Sequence, residues 1–427
     1  MSTKEKGYRH RRIGDRLLTP ETLMMGYGYD PFLSEGSVKP PIFQTSTFVF
    51  RNAEEGEQYF KWAYGLEPQG DGEMGLIYSR INNPSLQIME ERLALWDDAE
   101  LCLSFSSGMA AVSAVLMAHL RPGDVVLHSM PVYGGSEYFL VHILPRYGIK
   151  SVAYPADLPV EELEALAAKH KDHLKAIYVE TPANPTNVLI DIAGTVEVAK
   201  KMSTPDRKVL TMVDNTFLGP VFQHPLKLGA DLVIYSATKY IGGHSDIVAG
   251  AVCGSKEVMA PVAEYRTMFG PIPAPFNGWL LMRSMETLKL RMEAGVRNAE
   301  FVAKRLTEHP AVERVIHPSL LEKGTKQYEI YKKQCEASGS IVSFEVKGGK
   351  AAAFKMLNSV ELCRLAVSLG GTESLIEHPA SMTHSDIPPD VRAQYGISEN
   401  MIRLSCGIEN AEDLLHDVWQ ALDASQK

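Results

Sequence analysis

The stretch Asp231-Leu232-Val233-Ile234-Tyr235-Ser236-Ala237-Thr238-Lys239-Tyr240-Ile241-Gly242-Gly243-His244 runs from a short apolar segment into hydroxyl residues, one lysine and paired glycines. The apolar segment has the length and continuity of a buried strand. A lysine just past such a strand, beside small hydroxyl residues, can be partly desolvated. Desolvation lowers an amine pKa toward useful nucleophilicity and Schiff-base chemistry. Taken alone, Lys239 reads as readily as a surface lysine at a strand end.

Working outward, residues 101–105, 124–128, 175–180, 208–213 and 231–235 all read as short buried strands. Helical periodicity lies between several of them, at 160–170 and 195–202. Such alternation predicts an α/β fold with a mainly parallel sheet covered on both faces. Ligands of these sheets bind outside the carboxyl ends of the strands. Each expected strand is followed at once by polar or small residues: Ser106-Ser107-Gly108-Met109, 129–135, Thr181-Pro182-Ala183-Asn184-Pro185, Asp214-Asn215-Thr216, and 236–239. Five loops are therefore expected to converge on one site. Residues 1–82 read as an arm reaching a neighbouring subunit, 83–285 as the large domain, and 286–427 as a smaller C-terminal α+β domain.

The 427 residues allow a large core in two or three domains. A formal charge of −9 with 22% charged residues marks neither disorder nor a polyanion binder, so nucleic acid is not an expected partner. Lys4, Lys6, Arg9, Arg11, Arg12 and Arg16 form a basic cluster, with no apolar stretch after it to make a signal peptide. The most apolar stretch, 109–120, is too short to span a bilayer and predicts a buried helix. Five scattered cysteines, never spaced Cys-x-x-Cys, fit neither a disulfide framework nor a zinc site. A reducing cytoplasm is the expected compartment and no metal is expected.

Several residues after the strands carry chemistry. Ser107-Gly108-Met109 opens an apolar helix, whose first N–H groups favour an anion such as phosphate. Ser236 and Thr238 add hydroxyls, and Tyr78 with Arg80 adds a phenol and a guanidinium fork. Asp214 ends a buried strand, where its carboxylate needs a cationic partner or a protonated ring nitrogen, unless it caps a helix. Tyr133 precedes Gly134 and Gly135, so its ring is placed either to stack on a flat ligand or to fill the core. Arg403 alternates with apolar neighbours as an inward-facing strand residue does, and a buried arginine usually holds a carboxylate. A phosphate cradle, stacking aromatic, ring-nitrogen carboxylate, reactive lysine and carboxylate-binding arginine are together what pyridoxal phosphate needs to act on an amino acid.

On these residues the chain resembles the Cys/Met-metabolism family of pyridoxal-phosphate enzymes, which contains cystathionine γ-synthases, cystathionine lyases, O-acylhomoserine sulfhydrylases and methionine γ-lyases. The similarity runs from about Gly28 to the C-terminus. It is carried by Tyr78-Ser79-Arg80 with Asn83-Pro84, Ser107-Gly108-Met109, Tyr133-Gly134-Gly135, Glu180-Thr181-Pro182-Ala183-Asn184-Pro185, Val213-Asp214-Asn215-Thr216, Ser236-Ala237-Thr238-Lys239-Tyr240 and His378-Pro379-Ala380-Ser381-Met382-Thr383-His384. The resemblance implies the aspartate-aminotransferase-like fold of type I pyridoxal-phosphate transferases, commonly a tetramer built from catalytic dimers. It implies a Schiff base on Lys239, which also moves protons, with Asp214 on the pyridine nitrogen and Tyr133 stacked on the ring and acting near the leaving group. Gly108, Met109, Ser236 and Thr238 are implied to bind phosphate, with Tyr78 and Arg80 reaching in from a neighbouring subunit. Asn184 is implied to touch the ring-hydroxyl side, and Arg403 with Ser368 to anchor the substrate α-carboxylate.

The implied reaction is γ-elimination from a γ-substituted L-amino acid, with γ-replacement as the alternative. Residues 395–405 and 281–292 look closest to methionine γ-lyases, yet the pocket departs from them. Those enzymes carry a cysteine where this chain has Gly135, and a Lys-Asp pair where Arg266 and Thr267 fall. Cystathionine enzymes place an arginine shortly after Tyr-Gly-Gly to meet a distal carboxylate, whereas this chain reads Ser136-Glu137-Tyr138. An acidic Glu137 suits a substrate whose far end is cationic, such as canavanine, unless it faces solvent. The 61–75 segment also looks longer than in most members.

Overall fold

The computed structural model describes residues 8–69 and 74–427; Lys4, Lys6 and part of the 61–75 segment lie outside the described residues. Seven strands form the large sheet: β1 Leu101–Phe105, β2 Val125–Met130, β3 Lys150–Pro155, β4 Leu174–Glu180, β5 Leu210–Asp214, β6 Leu232–Tyr235 and β7 Gly250–Gly254. Their order is β1-β7-β6-β5-β4-β2-β3. Strands β2 to β6 pair in parallel, and β7 runs antiparallel to both β6 and β1. Strand β1 consequently points the same way as β2 to β6. The five loops expected to converge therefore leave one edge of the sheet.

Two strands of this sheet were not expected from the sequence. Half-exposed β3 lies at the sheet edge, and β7 is composed of Gly250-Ala251-Val252-Cys253-Gly254, small residues with little strand preference. Packing explains the glycine at the start of β7. A Cβ on Gly250 would stand 2.2 Å from the Ser107 carbonyl oxygen, so only glycine lets the loop after β1 lie against this strand.

Side-chain alternation along the strands separates the layers. Ile177, Val179 and Val213 face helices α3 (Val160–Ala168) and α4 (Ile192–Met202). Tyr178, Met212 and Ile234 face the opposite layer, with α2 (Gly108–His119) and α5 (Lys256–Phe269). By the same alternation Glu180 and Asp214 belong to the Tyr178 and Met212 face. Helices α1 (Pro84–Asp97) and α6 (Pro275–Met285) cover the Val233, Tyr235 and Cys253 region. Helix α2 is apolar on nearly all sides because it is enclosed, as the composition of 109–120 predicts.

The long helix α7 (Leu288–Leu306) leads to a second sheet of β8 Val312–Ile316, β9 Ile341–Val346, β10 Arg364–Leu365, β11 Leu375–Glu377 and β12 Met401–Ser405. Its order is β8-β9-β12-β11-β10, and α8 (Gly349–Leu357) and α9 (Ala411–Ser425) pack on its core with α7. Ahead of α1 the chain runs over the surface. Arg9 and Arg11 pair with Glu91 and Asp98 at 2.9 and 2.8 Å, while Phe32, Leu33 and Val49 stand exposed. No helix of the described residues is long and apolar enough to cross a membrane.

Candidate active site

A cavity of about 230 Å³ opens at the carboxyl ends of the large-sheet strands, where the small domain closes against them. Lys239 lines it. Its Nζ lies 2.7 Å from Ser368 Oγ, and burial pulls the amine down to about 8, helped by the nearby Arg403 guanidinium and opposed by Glu377. The desolvation expected of a lysine past a buried strand is therefore present.

The Ser107 hydroxyl caps α2 by accepting from Ala110 N at 3.0 Å, so the first turn of the helix is fixed at the cavity. A Cβ on Gly108 would stand 2.9 Å from Ser236 Cβ, which is why glycine occupies that position. Ser236 N donates to Thr216 Oγ1 at 2.9 Å, and Thr216 Oγ1 donates to Asp214 Oδ1 at 2.6 Å. One hydroxyl thus links the loop carrying Lys239 to the acid at the end of β5. Thr238 lines the cavity, but its hydroxyl donates to Ala249 O at 3.1 Å, and it also accepts from Ala249 N.

Asp214 and Glu180 occupy directly paired positions on β5 and β4 and both line the cavity. Burial raises Asp214 despite its hydrogen bonds from Thr216. Burial, with Asp214 next to it, pushes Glu180 well up. Two acids side by side in a buried cleft favour the uncharged form of at least one of them.

Arg403, on β12, is 3% exposed. It donates to Asn184 Oδ1 and to the Ser368 carbonyl, each at 2.9 Å, and pairs with Glu377 Oε1 at 2.8 Å. Ser368 adopts φ 95°, a region that residues with side chains rarely enter, and this turn presents its carbonyl to Arg403 while its hydroxyl meets Lys239. The Tyr133 ring is 44% exposed at the cavity, its backbone N–H held at 2.7 Å by Glu180 Oε2.

Several residues named from the sequence stand elsewhere. Tyr78 and Arg80 are not among the residues lining the cavity of their own chain; the Arg80 guanidinium donates to the Thr267 carbonyl at 2.5 Å. Arg266 is buried against Glu90 at 2.6 Å and Ser104, so within the chain it serves packing and not the cavity. Glu137 is buried and does not line the cavity, although its neighbour Ser136 does; burial and Asp386 push its carboxyl up. Sequence reasoning missed the roles of Glu180, Thr216 and Glu377. Glu180 and Thr216 stood inside quoted motifs, but the pairing of Glu377 with Arg403 arises only from the register of β11 against β12.

The model of the Cys/Met metabolism PLP-dependent enzyme family matches residues 21–423. The chain is 42% identical over 391 residues to an L-methionine gamma-lyase of Porphyromonas gingivalis, covering 91% of this chain and 93% of that one. It is 38% identical to a cystathionine gamma-lyase of Bacillus subtilis, over 94% of this chain and 99% of the relative. The solved cystathionine gamma synthase of Xanthomonas oryzae pv. oryzae, in complex with aminoacrylate and cysteine, superposes with a TM-score of 0.86 at 34% identity, covering 96% of this chain and 99% of that structure. The chain belongs to the Cys/Met metabolism PLP-dependent enzyme family.

The residues present fit pyridoxal phosphate. Asp214, held by Thr216 at the end of β5, would meet a protonated pyridine nitrogen. The start of α2 with Ser236 would offer donors for the phosphate, Tyr133 a face for the ring, and Lys239 the amine for covalent attachment. When bound, the cofactor supplies an electron sink for carbanions formed on an amino acid.

Two outcomes are expected. Lys239→Ala removes the visible absorbance of the reconstituted protein, and for the wild type the reconstitution rate climbs as pH rises through about 8, because the neutral amine is the reactive form. An unchanged spectrum in the variant would assign attachment to another lysine. A Cβ at Gly135 would stand 2.7 Å from Tyr133 Cε1 and 3.1 Å from Met109 Sδ. Gly135→Cys therefore displaces the Tyr133 ring, at a stability cost of about 1–3 kcal/mol, which a crystal structure and a melting curve check.

Proposed function

We propose that this enzyme is a γ-elimination lyase acting on a γ-substituted L-amino acid. The observation carrying this reading is the chain of contacts Lys239–Ser368–Arg403, which sets a proton-moving amine beside the anchor for an α-carboxylate. With the carboxylate on Arg403, the Lys239 amine is placed to take the α proton and then to move a β proton, after which the γ substituent leaves. Asn184 and Glu377 hold the guanidinium in place. Tyr133, half exposed at the mouth, is the group nearest in kind to assist the departing substituent.

The finer substrate reading is a γ group with a cationic end, canavanine being the amino acid of that chemistry. Gly135 supplies no thiol at the position where methionine γ-lyases carry cysteine. Near the cavity, Glu137 and Asp386 stand close enough to interact. Methionine and cystathionine are the neutral and zwitterionic competitors. Outside the chain's own cavity, Tyr78 and Arg80 support assembly in which one copy completes its neighbour's site, as in a catalytic dimer within a homotetramer. The free cysteines support a cytoplasmic setting.

γ-Replacement is the second reading, favoured by the likeness to a cystathionine gamma synthase. Incubation of purified enzyme with canavanine, methionine, cystathionine and O-acylhomoserines, each with and without a thiol, separates the two. A lyase releases its product without the thiol; a strict thiol requirement overturns the proposal. Within the lyase reading, kcat/KM for canavanine is expected to exceed that for methionine. A preference for methionine would remove the charge argument.

A further inference from the structure

The half-exposed ring of Tyr133 has little side-chain packing from the residues that follow it. Its next two residues are glycines: a Cβ on Gly134 would meet the Thr383 carbonyl at 2.2 Å, and one on Gly135 would meet the ring itself. The ring's position is therefore set through the main chain. The Tyr133 carbonyl accepts from Glu137 N at 2.9 Å, closing the short turn after it. The Tyr133 N–H donates to Glu180 Oε2 at 2.7 Å, the side-chain contact that ties this backbone to the sheet.

Glu180 is itself fixed. It is 3% exposed, its N–H donates to Ser129 Oγ at the end of β2, and its position is paired with Asp214 on β5. A single carboxyl thus joins the main chain under the stacking ring to β4, the strand paired with the one that carries Asp214. We propose that Glu180 is a positioning residue, whose carboxyl oxygen holds the Tyr133 backbone and so sets the Tyr133 ring in register with Asp214 across the cofactor. Its burial beside Asp214, which favours the uncharged acid, agrees with a role as hydrogen-bond acceptor and not as a second counter-charge.

The inference rests on the cofactor and Tyr133 assignments above, and three variants of the holoenzyme test it. Glu180→Gln keeps an acceptor oxygen at the same reach, Glu180→Asp keeps the acid but withdraws it by one methylene, and Glu180→Ala removes both. The readouts are the circular dichroism of the bound cofactor's visible band, cofactor affinity, melting temperature, and kcat separated from KM. Glu180→Gln is expected to retain the dichroic band and kcat within about threefold. Glu180→Asp and Glu180→Ala should alter the band and lower kcat about 10- to 100-fold, with KM changed little. Equal losses in Gln and Ala, or an Asp variant that matches wild type, overturn the proposal. Should Glu180→Ala fail to fold, the Gln and Asp comparison decides alone. If wild type turns over no γ-substituted amino acid, the lyase reading fails, while the dichroic band still tests Glu180.

Discussion

Two carboxyl groups, Glu180 and Asp214, end neighbouring parallel strands and are buried together. Burying one acid is costly, and burying two side by side is sustained only where cations and hydrogen bonds meet them. The surrounding structure answers that demand. Thr216 gives Asp214 two donors, the Tyr133 backbone gives Glu180 one, and Lys239 and Arg403 bring positive charge from the next strand and from the small domain. A cofactor with a protonated ring nitrogen would complete the balance beside Asp214.

The second condition is close approach. Gly108 against Ser236, Gly250 against Ser107 and Gly134 against Thr383 are three places where main chains or short side chains pass at distances no Cβ permits. Together they draw four loops and a strand inward around a ligand whose phosphate and ring need backbone donors at short range. Larger residues at these points would widen the cleft, leaving the same chemical groups too far apart to act on one molecule.

Much of this was legible in the sequence. Five strands and the loops after them were readable from apolar runs that end in polar residues, because in a parallel sheet buried on both faces hydrophobicity marks the strand and its abrupt loss marks the site. Lys239, Asp214, Ser368, Asn184 and Arg403 stand around one cavity as that reading requires. What stayed hidden depends on register and distance. β7 carries too little hydrophobic signal to be seen alone, since its small residues serve the loop beside it. Glu377 meets Arg403 because β11 pairs with β12, and the placement of Arg266 against Glu90 reverses the role its sequence position implied. Glu137 shows the limit of motif comparison: it follows a cavity residue in sequence, but its side chain does not line the cavity.

Strand β1 reaches its sheet only through β7, which pairs Leu101 with Gly254, and the cavity closes only when β12 brings Arg403 from near the end of the chain. Contacts of such long sequence separation form late, because the intervening chain must be ordered first. On a ribosome, Lys239 emerges well before its carboxylate-anchoring partner exists. The residues that would hold the cofactor all precede β12, so the substrate anchor is the last part of the site to be made.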